Sequence, residues 1–117
     1  MSVRRIVLDI ATPDPTLAQQ FYGELLGLDV LMDFGWITAY GGKKPAKVQI
    51  NFASQGGSDQ PVPDMSIEFD DVFAIWARAQ DMGLDCPYPL VTEPWGVTRF
   101  FVRDPFGKLV NILSHEG

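Results

Sequence analysis

Cysteine occurs once in the 117 residues, as Cys86, and histidine once, as His115. A lone thiol excludes an internal disulfide, suits a reducing compartment such as the cytoplasm, and rules out any zinc site built from several thiolates. No apolar run approaches the roughly 18 residues a membrane-spanning helix needs, so no contact with a membrane is expected. The opening Met1-Ser2-Val3-Arg4-Arg5 is basic, but Asp9 interrupts it before a signal-peptide core could form. Basic residues are also few, 9 against 15 acidic, for a net charge of −6. They do not cluster, which excludes nucleic acid as a partner, because phosphate binding depends on grouped Lys and Arg. There is no glycine-rich phosphate loop, and Cys86, followed by Pro87, has no histidine near it in sequence to act as a base.

Apolar residues are plentiful, at 46%, enough for one domain with a real core. The chain also says much the same thing twice. Phe21-Tyr22-Gly23-Glu24-Leu25-Leu26-Gly27-Leu28-Asp29 and Trp76-Ala77-Arg78-Ala79-Gln80-Asp81-Met82-Gly83-Leu84-Asp85 are each an aromatic-led helical stretch that stops at Gly-Leu-Asp. Such a duplication predicts two similar modules.

Val3 to Ala11 alternates as a strand, with Ile6, Leu8 and Ile10 on one face and Arg5, Val7 and Asp9 on the other. Thr12 or Asp14 is the expected helix cap, and Leu17, Phe21, Leu25 and Leu28 recur at helical spacing up to Gly27, placing Phe21 in a helix–sheet core. Leu28–Phe34, Trp36–Tyr40 and Lys47–Ala53 read as strands, separated by Gly35 and by Gly41-Gly42-Lys43-Lys44-Pro45. After a polar connector come a strand over Asp64–Asp70, a helix capped by Asp70 or Asp71 and running to Met82, and a proline-broken stretch over Asp85–Val91. Strands Gly96–Arg103 and Lys108–Ser114 close the pattern. The order is βαβββ, twice, an α+β fold. Each helix should cover the apolar face of its sheet, leaving Val7, Asp9, Gln49, Asn51, Asp64, Ser66, Glu68, Leu109, Asn111 and Leu113 on the opposite, cavity-lining face.

Phe21-Tyr22 with Leu26-Gly27-Leu28, and Phe101-Val102-Arg103-Asp104-Pro105-Phe106-Gly107 ahead of Val110-Asn111-Ile112-Leu113, resemble the vicinal oxygen chelate superfamily. That group holds glyoxalase I, the bleomycin-resistance proteins, fosfomycin-resistance enzymes and extradiol dioxygenases. The resemblance covers nearly the whole chain. It implies tandem modules forming a curved mixed sheet around a cleft: module one at about 1–54, a connector over 55–63 and module two over 64–117, in a single domain. It also implies a homodimer, since relatives with one module pair per chain commonly form their clefts between subunits.

Metal-binding members place one ligand on the first strand of each module and one on the last. In this sequence those positions fall on Val7 or Arg5, on Asn51 or Gln49, on Asp64 and on Asn111. One carboxylate and two amides suit neither zinc nor iron. The expectation is therefore no metal and no cofactor, and a protein that holds a planar or cationic small molecule. The alternative is a glyoxalase-like lyase or isomerase, or a dioxygenase, with an ion weakly held by Asn51, Asp64 and Asn111; a structural module with a filled cleft is a third reading. The candidate ligand-binding residues are Trp36 and Trp95, which sit beside glycines and can stack on flat rings, with Asn51, Asp64, Glu68, Arg99 and Asn111 as polar contacts. Arg99 has a structural alternative, an ion pair with Glu68 across the strands.

Overall fold

The computed structural model describes residues 2–42 and 48–115. The chain divides into two compact units, Val7–Val62 and Met1–Ile6 with Pro63–Gly117. Eight strands and their helical connections form the α+β fold expected from the sequence: β1 (Val3–Ala11), β2 (Asp29–Asp33), β3 (Ile37–Gly41), β4 (Gln49–Ala53), β5 (Met65–Phe69), β6 (Tyr88–Thr92), β7 (Val97–Arg103) and β8 (Leu109–His115). The module boundary drawn from the sequence gave β1 wholly to the first module. In the structure its first residues, up to Ile6, group with the second unit, while Leu8–Ala11 pair with β4 in the first.

In Val7–Val62 the strand order is β2-β3-β4-β1, with β1 parallel to β4 and the other pairs antiparallel. The second unit repeats it as β6-β7-β8-β5, with β5 parallel to β8. Register sets the faces. Leu8, Ile50 and Tyr40 stand opposite one another, as do Ile10, Phe52 and Thr38, while Asp9, Asn51 and Ala39 occupy the other face.

The helical stretch of the first unit departs from expectation. Asp14 is the cap, accepting from Thr16 N and Oγ1, and Pro15–Leu17 form a 3₁₀ turn. Gln19–Leu25 then wind as a π-helix, with Leu26 N donating to the Phe21 carbonyl five residues back. The wider winding adds a residue to each turn and rotates the stripe that faces the sheet. Ala18 and Tyr22 therefore pack on Tyr40, Phe52 and Ile50, joined by Leu28, whereas Leu17 and Leu25 are exposed and Phe21 is 52% exposed. The Leu17–Phe21–Leu25 face is thus not the core face, and only Leu28 of the expected set packs inward. Ile6, Leu8 and Ile10 also remain exposed, while Val7 on the opposite face is buried.

The second unit follows the sequence more closely. In α1 (Val72–Asp81), the Asp71 carboxylate accepts from Phe73 N and Ala74 N, satisfying orphan donors of the first turn. Gly83, at φ +67, ends the helix in the left-handed conformation glycine tolerates best. Val72, Ile75, Trp76 and Ala79, at helical spacing, pack on Phe100, Val110 and Ile112, with Trp76 edge-on to Phe100 at 5.0 Å. Ser114 Oγ accepts from Val72 N and donates to the Phe69 carbonyl, tying α1 to the sheet. The stretch expected to be broken by prolines instead contains β6, an edge strand where Pro89 needs no ladder partner on its free side. The other strands lie within a few residues of expectation; Lys47 and the Lys43-Lys44-Pro45 part of the turn fall outside the described residues.

Candidate functional site

On the sheet of the second unit, the face turned away from the α1 core carries the polar chemistry. Register places Arg99 opposite Leu113 and Val91, Phe101 opposite Asn111 and Tyr88, and Ser66 and Glu68 beside Asn111 and Leu113. Arg99 is the centre of this group. Its Nη2 and Nε lie 2.6 and 2.7 Å from Glu93 Oε2, and both side chains are at most 4% exposed. Tyr88 donates its hydroxyl to the same carboxylate oxygen at 3.1 Å. The guanidinium carbon sits 4.9–5.3 Å from the ring centres of Phe101, Trp95 and Tyr88. Three ring faces favour a cation there, and the attraction of Glu93 offsets the cost of burying the charge in low-dielectric surroundings.

The ion pair anticipated between Arg99 and Glu68 does not form. Glu93 reaches Arg99 across the tight turn between β6 and β7, where Glu93 N bonds to Val97 O and Gly96 N to Glu93 O. Glu68 instead contacts Arg5 Nε through one oxygen and His115 Nδ1, at 3.0 Å, through the other. Burial pushes the Glu68 carboxyl up, but the bonds and charges of His115 and Arg5 outweigh it and hold the group below its ordinary range.

Asn111 stands one register step from this cluster and is 8% exposed. Its Nδ2 donates to Ser66 Oγ at 3.0 Å, yet its Oδ1 is buried with no hydrogen-bond partner among the described residues. Asp64 does not join the group. It is exposed at the start of β5, and its Oδ2 accepts from Leu109 N at 2.8 Å, which uses the carboxylate to pin two strand ends together.

In the first unit Asn51 is buried, donates to Asp9 Oδ1 at 2.8 Å and accepts from Gln49 Nε2 at 3.0 Å, which links three polar side chains. Trp36 is half-buried beside Phe34, ring centres 6.2 Å apart. Glu93 and Tyr88 were not among the residues singled out from the sequence. Glu93-Pro94-Trp95-Gly96, a turn sequence carrying an acid before a strand with an arginine, was the available signal.

The residues at the four positions that metal-binding relatives use do not fit a divalent ion. Val7 offers no donor, one Asp64 oxygen is held by a backbone N–H and both ends of the Asn51 amide are bonded, which leaves the neutral Asn111 oxygen and a single carboxylate oxygen, too few donors to hold a divalent ion. Among the described residues no three of His, Cys, Asp and Glu gather into a metal-binding group.

Two units of one strand order, each built as strand, helix and three strands, define a protein of the duplicated βαβββ class. The chain belongs to the Glyoxalase/Bleomycin resistance protein/Dioxygenase superfamily, whose family model matches residues 4–112. No curated protein matches it. Among solved structures it resembles an NAD-dependent benzaldehyde dehydrogenase from Legionella pneumophila (15% identity, TM-score 0.74, covering 96% of this chain and 100% of that one). It resembles a glyoxalase/bleomycin resistance protein/dioxygenase superfamily member from Vibrio splendidus 12B01 at 15% identity and TM-score 0.67, covering 97% and 99%. A hypothetical protein from Bacillus halodurans C-125 matches at 13% identity and TM-score 0.71, covering 100% and 97%. At such identities the likeness is one of fold, and this fold hosts unrelated chemistries.

Proposed function

We propose that this chain is a small-molecule-binding protein that works without a metal, and that its ligand is planar and presents an N–H donor to Asn111. One observation carries the reading: the Asn111 oxygen is a buried acceptor with no partner among the described residues, on a face where the neighbouring polar groups are satisfied. An orphaned buried acceptor costs about 1–3 kcal/mol, which a ligand donor would return on binding. Tyr88 and Trp95, which are only partly buried, supply flat apolar area on the same unit, while Phe101, cross-strand from Asn111, is buried. A cationic guest gains from the net charge of −6, but the aromatic trio already surrounds the guanidinium of Arg99, so planarity and a donor edge weigh more than charge. The metal-dependent lyase, isomerase or dioxygenase reading lacks support in the donor set.

A homodimer belongs to the same proposal. Leu8, Leu17, Phe21 and Leu25 of the first unit are large apolar side chains exposed to solvent, which a partner copy would cover. Light scattering that finds only monomer at micromolar concentration removes this part.

The binding reading is tested by thermal shift with indole, adenine and 9-aminoacridine, since a ligand at 100 times its Kd adds about 2.7 kcal/mol. Asn111→Leu should bind none of them while folding as stably as the parent or more so, because it removes the orphan oxygen. Unchanged binding by Asn111→Leu, or no binding of any of the three, defeats the proposal. Near-stoichiometric divalent metal that is lost together with an activity replaces it with the metal-dependent alternative.

A further inference from the structure

The helix side of the second unit holds a cavity of about 320 Å³, independent of the face that carries Asn111. Its walls are Ile75, Arg78 and Ala79 of α1, Met82 just past the helix, Phe100 and Ile112 of the sheet, and Val3 and Leu84 among the residues around it. Ile75 and Ala79 share one ridge of the helix and Met82 follows its C-terminal end, so the lining residues are spread over about 10 Å of the helix axis. Phe100 and Ile112 beneath Ala79 are buried, while Val3, Met82 and Leu84 in the same lining remain exposed apolar groups. Arg78 is the one charged residue in the lining, and it makes no ion pair or side-chain hydrogen bond among the described residues.

From this juxtaposition, an elongated apolar cavity with a single unpaired cation in its wall, we infer a binding site for an amphipathic monocarboxylate: one unbranched acyl chain laid along α1, its carboxylate at Arg78. The volume lies at the small end of ligand pockets and suits one chain. Long cationic side chains lay their methylenes on apolar surface and keep the head group at its edge, where a carboxylate can meet it.

Calorimetry on the intact chain, with all lipids below their micellar concentrations, tests this. Affinity should rise from hexanoate to decanoate by up to about fourfold per methylene. Decanoate should bind about two- to fivefold tighter than decanol, and Arg78→Gln should erase that margin. Ala79→Leu, which fills the cavity, should weaken decanoate about tenfold or more, with Ala79→Val as the milder variant if the first fails to fold. The inference is overturned if decanoate does not bind, if decyltrimethylammonium binds as well, or if filling at Ala79 changes nothing. It also falls if the protein is dimeric and takes up decanoate only on dilution to monomer, which assigns the cavity to a second copy.

Discussion

Glu93 Oε2 lies 2.6 Å from Nη2 of Arg99, in a pair that is almost wholly buried and walled by aromatic rings. Attraction between such charges repays their desolvation only while both are present. Arg99→Met should therefore cost about 3–5 kcal/mol by leaving Glu93 charged and unpaired. Glu93→Leu with Arg99→Met should recover most of that loss, apart from the Tyr88 hydroxyl left without its acceptor. Urea denaturation of the two single variants and the double variant measures it; additive losses would mean the pair is not coupled.

Phe21 and Phe100 look alike in sequence and differ in place. Phe100 is fully buried beneath Trp76, while Phe21 is 52% exposed and touches Tyr22 edge-on. Phe100→Ala should cost about 3–5 kcal/mol. Phe21→Ala should cost about 1 kcal/mol or less in the monomer, because little area returns to water. Equal losses in denaturant melts would contradict the π-helical rotation of that segment.

Glu68 supplies a pH dependence. Its folded carboxyl is held below the ordinary value of 4.5, after burial is offset by His115 and Arg5. A depressed carboxylate contributes stability that is fully present above its unfolded value and is lost as pH falls through the folded one. The stability difference between the parent and Glu68→Gln should thus shrink as pH falls below the ordinary value. Denaturant midpoints at a series of acidic pH values read this directly, and a gap that widens on acidification has the wrong sign.

Cys86 should be a slow thiol. Burial and the charge of Asp85 push its pKa up, against a smaller opposing bond from Gln80, whose Nε2 lies 3.7 Å from the sulfur. The reactive form is the thiolate, so less of it is present at a given pH than in an unhindered cysteine. Iodoacetamide should label the native protein more slowly than the urea-unfolded chain at the same pH. Faster labelling of the native form would reverse the assignment.

Local chemistry determined much of this protein in advance. The βαβββ order twice over, a helix cap at Asp70 or Asp71, of which the structure uses Asp71, and the Gly83 stop all follow from spacing along a few neighbouring residues. Strand alternation places Arg99 and Asn111 on one face of the sheet, whereas Trp95 lies in the turn ahead of β7 and reaches Arg99 from there. Tertiary structure decided the rest. A π-helix turned Tyr22 toward the sheet and Phe21 away from it, since the residues gained per turn depend on a backbone bond that no side-chain period announces. An edge position let Tyr88–Thr92 be a strand despite Pro89. The partner of Arg99 depended on which carboxylate the turn between β6 and β7 carried into reach, and the orphaned Asn111 oxygen on which donors packing left out. Both are outcomes of distance in three dimensions, which a one-dimensional pattern does not contain.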